Sequence, residues 1–135
     1  MKPNIMLVDE SFSALESIKW VFKDEPYYLF PFDSPIDALS VIESLNFSVV
    51  VADQSMREMD GIEFFEKAKQ KSPNTLGIIL TSYLDFDKAL EALDKGLADR
   101  FIKKPWNCIG LKQAVKMAVQ NYEMNAETEH QTVFG

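Results

Sequence analysis

The side chains of this sequence that could do chemistry stand at the ends of its apolar runs. Asp9 and Glu10 follow the first run, Asp53 follows the third, Thr81 closes the fourth and Lys104 follows the fifth. Each of these residues alone is more often a strand-end cap or a surface charge than a functional group. Three carboxylates, a hydroxyl group and an ammonium group form a site only if the fold brings these four ends together.

The elements between these residues predict such a fold. Five patterns of helical spacing alternate with five apolar runs, which lie at residues 4–8, 27–32, 47–52, 76–81 and 100–103. Strands that alternate with helices predict a parallel sheet covered on both faces by right-handed crossovers. In such a sheet all strands end at one edge, where open α/β folds place their chemistry.

Local signals refine this prediction. Pro31 in the second run favours an edge strand, because proline cannot donate to a neighbouring strand. Ser34 and Pro35 predict the start of the second helix, and Gly96 predicts the end of the fourth. The apolar spacing of the second helix extends to Leu45, which is therefore expected to pack in the core.

The chemistry expected at the sheet edge follows from the residue types. Carboxylates in one crevice repel each other, and a hard divalent cation such as Mg²⁺ removes that conflict. Lys104 can pair with Asp53 or with an anion bound to it, and Thr81 offers a donor to an incoming oxygen. Such a site would stabilise a phosphoryl group on a carboxylate nucleophile. Asp53 is then either that nucleophile or an ordinary cap of its strand.

Composition excludes several other classes of function. The chain has 135 residues, enough for one domain, and a net charge of -7 with no basic cluster, so direct binding to nucleic acid or anionic membranes is not expected. Cys108 and His130 are the only cysteine and histidine, which excludes disulfides, a cysteine-rich metal site and a histidine triad. Residues 1–8 lack the apolar region of a signal peptide, and no apolar run approaches the roughly 20 residues of a membrane span, so we expect a cytoplasmic protein.

Four segments of the sequence carry a resemblance to a known family. The segments "MLVDES", "VVVADQSMREMDGIEFF", "IILTSY" and "DRFIKKPW" resemble response-regulator receiver domains of two-component signalling, in order and at similar separations. The resemblance covers residues 4–122. It implies a CheY-like, flavodoxin-like (βα)5 fold, a doubly wound five-stranded parallel sheet with strand order 2-1-3-4-5.

The resemblance also implies a phosphorylation site. Asp53 would accept a phosphoryl group from a sensor histidine kinase or a histidine phosphotransferase in a magnesium-dependent reaction. The side chains of Asp9, Glu10 and Asp53 and the backbone carbonyl of Ser55 would hold the Mg²⁺. The domain would not be an enzyme in the usual sense, although it would assist its own phosphorylation and dephosphorylation.

Further residues gain implied roles. Thr81 and Lys104 would contact the phosphoryl oxygens, and Thr81 would act with Phe101 as a switch. The switch would alter a face formed by the fourth helix, fifth strand and fifth helix, through which a homodimer would form. Ser55 and Tyr83 would tune the lifetime of the phosphorylated state, with Tyr83 predicting slow decay. Pro105 matches a position that is often cis.

The sequence departs from the family pattern at three positions. Glu10 stands where aspartate is commoner, Arg57 stands where proline is frequent, and Phe101 stands where tyrosine is frequent. The longer Glu10 side chain should still reach the metal, the loop around Arg57 should be more mobile, and a switch at Phe101 would depend on packing alone. None of these departures removes the phosphorylation chemistry.

Domain limits and rival functions complete the expectations. We assign residues 1–122 to the receiver domain and residues 123–135 to a polar tail or the start of a linker. The target would be a separate downstream protein or an effector domain outside this chain. The alternative is a degenerate receiver that binds partners without phosphorylation. A phosphohydrolase would need a second acid where Ser55 stands, and a flavin-binding flavodoxin would need a different loop after the first strand.

Overall fold

Five strands and five helices alternate along the part of the chain described by the computed structural model, residues 2–134, with side chains described up to Thr128. The strands are β1 (Asn4–Val8), β2 (Tyr28–Phe32), β3 (Phe47–Asp53), β4 (Leu76–Thr81) and β5 (Arg100–Lys103). The helices are α1 (Phe12–Val21), α2 (Pro35–Val41), α3 (Gly61–Lys71), α4 (Phe86–Asp94) and α5 (Cys108–Phe134). A 3-10 turn at Tyr83–Asp85 precedes α4.

The strands form one parallel sheet in the order β2-β1-β3-β4-β5. The predicted fold class and strand order are therefore confirmed. Strand β2 lies at an edge, and its Pro31 pairs with Leu7 of β1. An edge strand accommodates proline because only one of its two sides must supply ladder hydrogen bonds.

Helices cover both faces of the sheet, which explains why the central strand reads as a continuous apolar run. All seven residues of β3 are buried. Val49 and Val51 pack with side chains from α1 and α5, whereas Val50 and Ala52 pack with side chains from α2, α3 and α4. Alternate residues of a strand point to opposite faces, so both sets must be apolar when both faces are covered.

Side-chain caps and one glycine fix where the helices begin and end. Ser34 caps α2 by accepting a hydrogen bond from the Asp37 amide at 3.2 Å, and Pro35 occupies the first turn. Asp60 caps α3 in the same manner through the Glu63 amide. Gly96 follows α4 with a φ of 71°, a left-handed conformation that favours glycine. The predicted helix start at Ser34 and end at Gly96 are confirmed.

The ends of two helices bear on the pattern read in the sequence. Helix α2 ends at Val41, and Leu45 is 43% exposed rather than in the core, because the chain has already left the helix. Helix α5 continues to Phe134 and so includes most of residues 123–135. No helix within residues 2–134 is long and apolar enough to cross a membrane.

Candidate functional site

The sheet brings the predicted residues together at its carboxyl edge. Asp9 follows β1, Asp53 ends β3, Thr81 ends β4 and Lys104 follows β5. These four strands are consecutive in the sheet, in the order β1, β3, β4 and β5. Asp9 and Asp53 are 6% and 5% exposed, and Thr81 is fully buried. Residues from four distant parts of the chain therefore form one buried polar cluster.

Asp53 and Lys104, two of the residues expected to act on the phosphoryl group, form an ion pair. The Lys104 ammonium donates a hydrogen bond to Asp53 Oδ1 at 2.7 Å. The Asp53 side chain is 8% exposed and the Lys104 side chain is 35% exposed. Removing a carboxylate from water is costly unless a charge compensates it, and Lys104 supplies that compensation from the rim of the site.

The environment of the cluster disfavours the charged form of Asp9. Burial raises the pKa of its carboxyl group above the ordinary 3.8, and the nearby charges of Asp53 and Glu10 raise it further. A hydrogen bond from the Ser11 amide to Asp9 Oδ1, at 2.8 Å, and the charge of Lys104 lower this pKa. The net shift of the Asp9 pKa is upward, and burial is its largest cause.

Glu10 makes a different set of contacts. Its Oε1 accepts a hydrogen bond from the Arg57 amide at 2.6 Å, and its Oε2 accepts one from the Glu58 amide at 3.1 Å. Both amides belong to the loop between β3 and α3. The Glu10 carboxylate thus bridges from the end of β1 to that loop.

The donor set suits a hard divalent cation in its chemistry. An open depression at the sheet edge is lined by Asp9, Glu10, Asp53 and Ser55, together with neighbouring loop residues. Carboxylate and carbonyl oxygens are the ligands that Mg²⁺ prefers, and a cation would offset the repulsion that raises the Asp9 pKa. Among the described residues, however, no three acids already stand in the arrangement of a metal site. The depression therefore fits Mg²⁺ by charge and donor type without being a preassembled cage.

Thr81 and its loop are held by local hydrogen bonds. The Thr81 hydroxyl donates to the Ser82 carbonyl at 3.1 Å, and the Ser82 hydroxyl donates to Asp85 at 3.3 Å. The Lys104 amide donates to the Thr81 carbonyl at 2.8 Å and so ties the end of β4 to the residue after β5. The Lys104–Pro105 peptide bond is cis.

Comparison with known proteins decides the family of the chain. The sequence model described as "Response regulator receiver domain" matches residues 5–116. The chain belongs to the response-regulator receiver domain family. Receiver domains are signalling modules rather than classical enzymes. They interact with histidine kinases or phosphotransferases, and they often occur together with effector domains.

Individual relatives of this receiver domain differ in how much else they contain. It is 25% identical over 125 residues to the hydrogenase transcriptional regulatory protein HoxA of Bradyrhizobium diazoefficiens, covering 93% of this chain but only 26% of that protein. It is 28% identical over 116 residues to sporulation initiation phosphotransferase F of Bacillus subtilis, covering 86% and 93% of the two chains. A solved structure titled adenylate cyclase from Rhodopirellula baltica superimposes with a TM-score of 0.93 and 29% identity, covering 98% of each chain.

Phe101 of the receiver domain pairs with Ile79 in the sheet and contacts an aromatic residue that the sequence did not single out. The Phe101 ring packs edge-on against Phe86, the first residue of α4, with ring centroids 5.1 Å apart. The Lys103 ammonium lies 4.6 Å from the centre of the Phe86 ring. Phe86 was visible only as part of an apolar helical stripe, which gave no sign that it would meet Phe101.

Two further residues lie just past the ends of β4 and β3. Tyr83 is 84% exposed and does not line the depression that contains Asp53 and Ser55. Gln54, directly after Asp53, is 1% exposed, and its Oε1 has no hydrogen-bond partner within the described part of the chain. The signal in the sequence that could have indicated the burial of Gln54 is its place directly after a continuous apolar run.

Proposed function

We propose that Asp53 is the phosphoacceptor of this receiver domain and that a histidine kinase or histidine phosphotransferase is the donor. The observation that supports this most directly is the contact between buried Asp53 and Lys104 beside the second buried acid, Asp9. In the transfer, the bond between phosphorus and a histidine nitrogen of the donor breaks as a bond from phosphorus to an Asp53 oxygen forms. Lys104 then releases its contact with the carboxylate and pairs with the phosphoryl oxygens.

The acids around Asp53 are proposed to hold Mg²⁺. Asp9, Glu10, Asp53 and the carbonyl of Ser55 would be its protein ligands, and the ion supplies positive charge that offsets the charge of the phosphoryl oxygens. Asp9 keeps its oxygen oriented through the hydrogen bond from the Ser11 amide. Asp9 and Asp53 are both nearly buried, so the sheet side of the site is closed to bulk water.

We further propose a switch that reads the state of Asp53. The Thr81 hydroxyl turns from the Ser82 carbonyl toward the phosphoryl group, which loosens the turn before α4. Phe86 opens α4 and packs on Phe101, so a movement of this turn changes the packing of Phe101. The surface of α4, β5 and α5 carries the signal to a downstream protein, to an effector domain or to a second copy of the chain.

Intact-mass analysis after incubation with a small phosphodonor and Mg²⁺ tests the phosphorylation. The wild type is expected to gain one phosphoryl group, and Asp53→Asn is expected to gain none. Asp24→Asn, at an exposed acid far along the sequence from the cluster, serves as the matched control and should be modified like the wild type. Excess chelator should abolish the modification.

Each other outcome of this experiment counts against a defined part of the proposal. Full modification in chelator would contradict the magnesium dependence, and modification of Asp53→Asn would contradict the acceptor. An unmodified wild type, given both a small phosphodonor and a histidine phosphotransferase, would favour the degenerate receiver that acts only by binding partners.

A further inference from the structure

The Glu10 carboxylate makes two hydrogen bonds that cross the acidic edge of the sheet. Its two oxygens accept from the consecutive backbone amides of Arg57 and Glu58, at 2.6 Å and 3.1 Å. Hydrogen bonds to an ionised acceptor are roughly twice as strong as neutral ones. The loop between β3 and α3 is therefore held from the end of β1, at a point 47 residues away along the chain.

This contact needs a backbone N–H group at residue 57 and a carboxylate with enough reach at residue 10. Arginine, like any residue except proline, supplies that N–H group. Glutamate extends one methylene further than aspartate, and that length lets the carboxylate span to the loop. Glu10 and Arg57 are two of the departures from the family pattern. In the structure the backbone amide of Arg57 donates to the carboxylate of Glu10.

The restraint continues from the loop to a helix. The Glu58 side chain accepts a hydrogen bond from the Ser34 hydroxyl at 2.7 Å. The same hydroxyl oxygen accepts from the Asp37 amide at 3.2 Å and thereby caps α2. A continuous series of hydrogen bonds thus runs from Glu10 through the loop to the first turn of α2.

We propose that Glu10 is a positioning residue for the β3–α3 loop, and that Glu58 and Ser34 carry this restraint to the start of α2. The held loop contains Ser55, whose carbonyl is one of the proposed metal ligands, so Glu10 orients a second ligand besides offering its own oxygens. Each carboxylate oxygen has another lone pair, so holding the loop and facing a cation are compatible. The functional importance of this positioning rests on the proposed phosphorylation of Asp53.

Amide hydrogen exchange measured by NMR on the unphosphorylated, magnesium-free protein tests the positioning. Glu10→Asp keeps the charge but loses reach, and the Arg57 and Glu58 amides are expected to exchange about tenfold faster than in the wild type. Glu16→Asp, the same change at an exposed position on α1, is the control and should leave both amides unchanged. Exchange at the Val50 amide of the core strand verifies that each variant is folded.

Glu10→Gln separates length from charge. It keeps the reach and one acceptor oxygen, so it is expected to protect these amides better than Glu10→Asp does. Better protection in Glu10→Asp than in Glu10→Gln would overturn the proposal in favour of a purely electrostatic role. Rates in Glu10→Asp equal to those in Glu16→Asp would also overturn it.

Glu58→Ala tests the extension to α2. It should increase exchange at the Asp37 amide while the Arg57 amide stays protected, because only the link beyond the loop is removed. An unchanged Asp37 amide would overturn the connection to α2. None of these measurements involves phosphate or metal, so they can fail while the phosphorylation of Asp53 holds, and the reverse is also true.

Discussion

The nearly buried carboxylate of Asp53 is paired with the ammonium group of Lys104 at 2.7 Å. The lysine lies at the rim, a third exposed, while the carboxylate is 8% exposed. This arrangement leaves the cation free to follow an anion that arrives from solvent. It also makes the stability of the cluster depend on the side chain of Lys104, which a single substitution removes.

Lys104→Ala is expected to destabilise the domain by about 1 kcal/mol at neutral pH. The loss leaves Asp9 and Asp53 without their shared cation, and the figure allows for solvent screening at the exposed lysine. Urea denaturation measures the change. In the Asp53→Asn background the same substitution should cost clearly less, and equal costs in both backgrounds would contradict a stabilising ion pair.

Asp9→Asn is expected to stabilise the domain at pH 7. The pKa of Asp9 is raised in the folded state, so the folded protein binds more protons than the unfolded chain between pH 3.8 and the raised value. Stability therefore falls as pH rises through that window, and the cost is fully present above the raised pKa. Asparagine keeps an oxygen for the Ser11 amide and carries no charge.

Denaturation of this variant and the wild type from pH 3 to pH 8 measures the difference. The advantage of Asp9→Asn should shrink as the pH falls toward 3.8 and vanish below it. Asp24→Asn, at an exposed acid, serves as the control and should show no such trend. An advantage that persists unchanged at pH 3 would show that it does not arise from the charge of Asp9.

At the scale of elements, the close approach of α3 to the end of β3 sets where Asp53 lies. Gly61 is the first residue of α3, and its amide donates to the Gln54 carbonyl at 3.0 Å. A Cβ atom added to Gly61 would lie 2.7 Å from Gln54 Oε1 and 3.2 Å from the Asp53 carbonyl oxygen. A side chain at residue 61 therefore forces Gln54 and the neighbouring backbone to shift.

Gly61→Ala is expected to lower the free energy of unfolding by about 1–3 kcal/mol, despite the better helix propensity of alanine, because the clash displaces backbone. Since Asp53 is part of that backbone, the rate of its phosphorylation should also fall. Gly110→Ala in α5 is the control, because its Cβ would meet only the exposed side chain of Asn107. Equal stability of the two variants would contradict this account.

At the scale of the whole molecule, the face of α4, β5 and α5 carries charges of both signs in a chain whose net charge is -7. Some of these charges are already engaged within the chain. Lys88 pairs with Asp60, Lys95 pairs with Glu91, and Asp99 accepts from the Gly77 amide at 2.8 Å. Self-association through this face would have to use the remaining charges or exchange these partners.

Phosphorylation is expected to promote a homodimer through this face, and Arg100→Glu on β5 is expected to weaken the dimer at least severalfold. Charged contacts across an interface are weakened by salt, so dimerisation should decrease as ionic strength rises. Sedimentation of the phosphorylated protein measures both effects. Lys67→Glu on α3 makes the same reversal of charge outside this face and should not alter dimerisation. A phosphorylated wild type that remains monomeric would contradict the prediction.

The order of the elements, and the edge of the sheet that carries the candidate site, could be predicted from the amino-acid sequence. Runs of β-branched and apolar residues alternating with helical stripes leave few arrangements open, because crossovers in parallel sheets have one hand. Asp9, Asp53, Thr81 and Lys104 then follow from their places at strand ends. The start of α2 at Ser34 and the end of α4 at Gly96 could be predicted because helix caps act within a few residues of their own position.

Contacts between segments far apart in the chain were decided only by the tertiary structure. The hydrogen bonds of Glu10 to a loop 47 residues away, and the packing of Phe86 on Phe101, depend on distances that no local pattern encodes. Tyr83 lies in a 3-10 turn and is 84% exposed, which its spacing from Thr81 did not indicate. Local propensity fixes elements, whereas the packing of the sheet and helices fixes which side chains meet.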